Sequence, residues 1–176
     1  MSETNEFSRP VRLETIGSSP RPMVIEAEPA ERKALARRFA VPAIDRLAAE
    51  LSLSRTGDVV QASGCIHAQV TQSCVASGEP VPATIDEPFS ILFTPPYEGR
   101  PSEEEIELSA ADCDVVFYEG GSIDLGEAVA ETLSLSLPPW PRAPGGDEAL
   151  REAGVKSEQE AGPFAGLAAL KDKLRK

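Results

Sequence analysis

Apolar and polar residues alternate most regularly between Val60 and Thr71. Val60, Ala62, Gly64, Ile66, Ala68 and Val70 share one side of an extended chain, and Gln61, Ser63, Cys65, His67, Gln69 and Thr71 share the other. A period of two over this length predicts a half-buried antiparallel strand. Leu47, Ala49, Leu51 and Leu53 alternate just before it, and Thr56-Gly57-Asp58 supplies the turn between the two. Ser77-Gly78-Glu79-Pro80 reverses the chain again, and Val81, Ala83, Ile85, Phe89, Ile91 and Phe93 continue an apolar face, with Pro88 marking an edge or a bulge. Asp114 to Glu119 reads as a further strand ended by Gly120-Gly121. Upstream, Phe7 to Ile16 reads as a short strand and turn closed by Gly17 to Pro20, and Met23 to Ala27 as a second strand.

Elsewhere the period changes to that of helices. Pro29 suits the first turn of a helix running through Phe39, with its acid early and its arginines late, and Pro42 bounds it. Asp124 is placed to cap another helix, with Glu127 three residues on as in a capping box. Leu125, Val129, Leu133 and Leu137 recur every four residues until Pro138-Pro139 stops the helix. The stretch from about 95 to 111, with Glu103-Glu104-Glu105, reads as an exposed, mobile acidic loop, and 141–162 as a linker. Residues 163–176 form a short amphipathic helix in which Phe164, Leu167, Leu170 and Leu174 share a face and Lys171, Lys173, Arg175 and Lys176 crowd the end. The expected architecture is α+β: a mainly antiparallel sheet, able to close into a barrel, packed by two or three helices, with a flexible C-terminal tail helix. Residues 1–140 form its single domain.

Charge sharpens this picture. The net −12 is concentrated: residues 59–141 carry one Lys/Arg against fourteen Asp/Glu, whereas 1–58 carry nine against nine and 142–176 seven against six. An acidic middle repels phosphate backbones, since non-specific nucleic-acid affinity comes mainly from Lys and Arg. Aromatic residues make up only 5%, which leaves few candidates for base stacking. Both features weigh against an autonomous RNA-binding surface there, and a solvated acidic face is the plainer reading. Met1 to Pro10 lacks a basic region followed by an apolar one, and no stretch approaches the roughly 18 apolar residues of a membrane span. The chain is expected in the cytosol, off the membrane. Its three cysteines, Cys65, Cys74 and Cys113, show no framework spacing and are expected to be free thiols.

Candidate chemistry is sparse. Cys65, His67 and Cys74 are the only clustered soft metal donors, but Cys65 and His67 fall on the polar side of the strand and Cys74 on the opposite parity. Neither a metal nor another cofactor is expected. The same residues offer the one Cys/His pair for nucleophilic catalysis, with no Asp or Asn close in sequence to orient the imidazole. Phosphate-binding glycine loops, glycosidase carboxylate pairs and nucleophile elbows are not recognisable, and no small-molecule substrate is evident.

Four stretches together resemble the YceD-like family of large ribosomal RNA subunit accumulation proteins. They are Glu6-Phe-Ser-Arg-Pro10; Val70-Thr-Gln-Ser-Cys74 with Gly78-Glu-Pro-Val-Pro82; Ile123-Asp-Leu-Gly-Glu127 with the helix to Pro139; and Gly162-Pro-Phe-Ala165. The resemblance implies a non-enzymatic factor that supports accumulation or processing of 23S ribosomal RNA. It would act in large-subunit assembly by binding a ribosomal protein, a processing factor or, through the C-terminal helix, the RNA. Family members often carry Cys-x-x-Cys at the turn between the central strands. Here Thr71 stands at the first position and Cys74 at the second, which leaves a metal inferred for the family without support. Candidate partner-binding residues are Gln72, Cys74, Glu79, Asp124, Glu127, Trp140, Phe164, Leu167, Lys171 and Lys173. The competing readings are a Cys/His-dependent hydrolase or redox protein and a regulatory adaptor unrelated to ribosomes.

Overall fold

The computed structural model describes residues 6–96 and 114–155. Three long strands dominate: β3 (Ala43–Thr56), β4 (Val59–Ser73) and β5 (Pro80–Thr94). They are preceded by β1 (Pro10–Arg12), β2 (Arg21–Glu26) and helix α1 (Pro29–Arg38). They are followed by β6 (Asp114–Phe117), β7 (Ser122–Asp124), α2 (Leu125–Ser136) and α3 (Gly146–Glu152). One sheet runs in the order β2-β3-β4-β5-β6, and β1 pairs with β7 in a second, two-stranded sheet. The β2–β3, β3–β4 and β1–β7 pairings are antiparallel and β5–β6 is parallel. The fold is α+β. Its sheet is open, so the expectation of a barrel is corrected. Among the described residues the outer strand β6 spans four residues and pairs with Ile91–Thr94, while β2 occupies the other edge.

The period-two reading of β4 matches its burial. Val60, Ala62, Ile66, Ala68 and Val70 are buried and the opposite face is half-buried or exposed. Gly64 departs from its neighbours because it has no side chain to bury. A Cβ there would collide with the carbonyl of Glu50 on β3, so the strands approach too closely for any other residue. Pro88 lies on β5 before the segment paired to β6, on the stretch whose outer side has no strand partner among the described residues, as a strand proline requires.

Helix α1 ends at Arg38, with Phe39 as its C-cap, and packs against β3. Between Phe7 and Ile16 the expected strand shortens to three residues. Leu13 donates its N–H to Gly121, and the chain enters a 3-10 turn at Leu13–Thr15. Leu125, Val129 and Leu133 of α2 are fully buried with Phe7, Leu35, Leu47, Phe89 and Phe93. Leu137 follows as the helix cap, partly buried against the same core. The stretch 141–162 holds a seven-residue helix, α3, in its described part.

The chain falls into two compact units, Met1–Gln72 with Pro82–Pro139, and Ser73–Val81 with Trp140–Lys176. Among the described residues no helix is long and apolar enough to cross a membrane.

Candidate functional site

Within the larger unit, two segments far apart in sequence meet at the start of α2. Asp124 caps the helix, its Oδ1 accepting from the N–H groups of Gly126 (3.0 Å) and Glu127 (3.2 Å). The same carboxylate accepts from the Arg9 N–H at 2.8 Å and the Ser8 hydroxyl at 2.6 Å. Gly126 allows this meeting, because a Cβ there would strike the Phe7 carbonyl. Arg9 then makes a two-pronged ion pair to Glu31 on α1, at 2.7 and 2.8 Å. That bond is the main reason the Glu31 carboxyl is held below its ordinary range; burial opposes it, and the Glu28 N–H adds to it. Glu127 receives Arg38 in the same bidentate way, at 2.7 and 3.0 Å, with Glu6 at 3.3 Å from the same guanidinium. The first and third of the family-like stretches are thus two halves of one junction. Asp124 and Glu127, candidates for partner binding, are here engaged in holding α2 to the chain's first strand and to α1.

Gln72 is buried at the end of β4. Its Nε2 donates to the Pro138 carbonyl at 3.0 Å, and its Oε1 has no protein partner among the described residues.

In the smaller unit the turn after β4 carries Cys74 and Glu79. Cys74 donates its N–H to the Glu79 carbonyl at 2.7 Å and accepts from Gly78 at 2.9 Å; Gly78, at φ 76°, takes a conformation that favours glycine. Val75 donates to Pro141 at 2.9 Å, and α3 begins against the thiol, where a Cβ on Gly146 would lie 3.2 Å from Sγ. The Cys74 thiol is lowered from its ordinary value to about 6, first by the Ser77 hydroxyl and then by the N–H groups of Ala143, Ser77 and Ala76, against the opposing effect of burial. Glu79 competes for the single Ser77 hydroxyl proton, with Oε2 3.1 Å from Oγ. Trp140 is 76% exposed.

No group of three or more His, Cys, Asp or Glu among the described residues could hold a metal ion. With Thr71 in place of the first cysteine, the Cys-x-x-Cys position keeps one thiol, Cys74. His67 instead hydrogen-bonds Asp86 of β5 through Nδ1 at 2.6 Å, and Cys65 lies two residues away on the same half-buried face. Sequence reasoning missed the acceptor Asp86, which sits on the neighbouring strand, 19 residues on. Cys113, Phe164, Leu167, Lys171 and Lys173 lie outside the described residues.

A family model described as Large ribosomal RNA subunit accumulation protein YceD matches residues 62–171. The chain belongs to the YceD family. The match contains the Cys74 turn, Asp124, Glu127 and α2, and the family description supports a ribosome-related role. The YceD family is not a known enzyme family. No curated protein and no solved structure matches the chain.

Proposed function

We propose that this YceD-family chain is a non-enzymatic factor that supports accumulation of 23S ribosomal RNA by binding a basic protein of large-subunit assembly through its acidic middle segment. One observation carries the reading. Asp114, Glu119 and Glu131 are exposed and Glu87 is half-exposed, and among the described residues no Lys or Arg pairs with any of them. A protein that lies on ribosomal RNA carries Lys and Arg to meet phosphates, so before assembly it exposes the charge that an acidic surface complements. The C-terminal segment, with Phe164, Leu167, Lys171 and Lys173, belongs to the same proposal as a second contact with a partner or the RNA. The protein would act in the cytoplasm, where assembly occurs.

Affinity capture from cells, with bound proteins and RNA both identified, tests this. The wild-type chain is expected to retain a Lys/Arg-rich large-subunit protein or assembly factor at low salt. A variant carrying Glu87→Gln, Asp114→Asn, Glu119→Gln and Glu131→Gln is expected to lose it. Equal capture by the two chains defeats the proposal.

A further inference from the structure

Helix α1 divides its charges between two sides. Glu31 is paired with Arg9, and Arg38 with Glu127 and Glu6. On the other side Pro29, Arg32, Lys33, Ala36 and Arg37 recur at the spacing of one helical face and form one wall of a cleft of about 360 Å³. The facing wall is the chain from Val41 to Asp45. Arg32 is oriented by donating to the Ala27 carbonyl at 2.6 Å. The side chains of Lys33 and Arg37 are exposed, and no carboxylate pairs with either among the described residues. Asp45 is the one acidic residue lining the cleft among the described residues.

We infer that this cleft binds the phosphodiester backbone of RNA, with Lys33 and Arg37 as the phosphate contacts and Arg32 as a fixed third cation. Among the described residues Arg9 and Arg38 are neutralised by carboxylates, whereas Lys33 and Arg37 are not. Arg32, Lys33 and Arg37 share one helical face. The low aromatic content that argues against base stacking does not bear on phosphate contacts, which need only positive charge and donors. Ala36, Val41, Pro42, Ala43 and Ile44 supply an apolar floor against which a sugar can lie, and the volume is at the lower end of the roughly 300–1,000 Å³ of ligand clefts. An acidic protein segment is the other class that such a cleft attracts. RNA is favoured by the family's ribosomal RNA description. The inference does not depend on the acidic segment binding a basic protein, because it is tested with purified protein and RNA alone.

The experiment is fluorescence anisotropy with the full chain, a labelled single-stranded RNA oligonucleotide of mixed sequence, and poly-glutamate as competitor, across a salt series. Lys33→Glu with Arg37→Glu is expected to weaken RNA binding about tenfold or more at low salt. Removing two contacts lowers the slope of log affinity against log salt by about 1.4. Arg21→Glu, an exposed cation outside the cleft, is expected to leave both quantities unchanged. Lys33→Gln with Arg37→Gln gives the same readout with less repulsion if charge reversal disturbs folding. Unchanged RNA affinity in the folded double variant, an equal loss with Arg21→Glu, or displacement of RNA by poly-glutamate at equal or lower concentration each overturns the assignment.

Discussion

Asp124 and Arg9 stand 115 residues apart in the chain, and the carboxylate of the first accepts the backbone N–H of the second at 2.8 Å. The same oxygen caps α2, so one side chain starts the helix and ties the N-terminal segment to it. Asp124→Ala removes the cap and leaves donors from both segments to find other partners. The expected loss is about 2–4 kcal/mol. Asp124→Asn keeps an acceptor and is expected to lose less. Urea denaturation reads both, as a lower midpoint at unchanged slope; a midpoint unmoved by Asp124→Ala contradicts the junction.

Gly126 tests the same junction with the opposite intrinsic bias. Alanine is favoured over glycine inside a helix by about 1 kcal/mol, so Gly126→Ala would stabilise a helix with open space at that position. Here its Cβ strikes the Phe7 carbonyl, and backbone cannot swing aside as a flexible side chain can. The substitution is expected to destabilise by about 1–3 kcal/mol. A raised melting temperature would show that the Phe7–Arg9 segment does not press on α2.

Much of the fold is legible in one dimension. The strands β3 to β5 announce themselves because one face of each is buried and the other is not. Helix α2 does so because Asp124 caps it and Leu125, Val129, Leu133 and Leu137 recur every four residues. What the sequence hides is partnership across distance. The sequence places Asp124 and Glu127 at the helix start but does not show that Ser8, Arg9 and Arg38, 116, 115 and 89 residues away, bond to them. The acidic excess and the Cys74 position are visible in the sequence, but the neighbours that set the thiol's chemistry come from Ser77 and Ala143. Helix α3 escapes detection because its first residues are Gly146 and Asp147 after Gly145, a weak start at which the Gly146 N–H donates to the Ala143 carbonyl.

Cys74 carries a pH dependence. Its thiol is lowered to about 6, so the thiolate's contribution to stability is complete above the ordinary thiol range and is lost as pH falls through about 6. The difference in ultraviolet thiolate absorbance between the chain and Cys74→Ala is expected to titrate near that value. Ser77→Ala removes the largest cause and is expected to move the midpoint upward. A midpoint in the ordinary thiol range for the unaltered chain would contradict the hydrogen-bonded nest around the sulfur.

The proposed basic partner, on which large-subunit RNA accumulation would depend, meets Glu87, Asp114, Glu119 and Glu131, with which no Lys or Arg pairs among the described residues. The most direct measurement is the amount of 23S ribosomal RNA in cells lacking the endogenous protein and supplied either with this chain or with the folded variant Glu87→Gln, Asp114→Asn, Glu119→Gln, Glu131→Gln. The unaltered chain is expected to restore the RNA and the variant to fail at equal protein level. Full restoration by the variant would contradict the proposal.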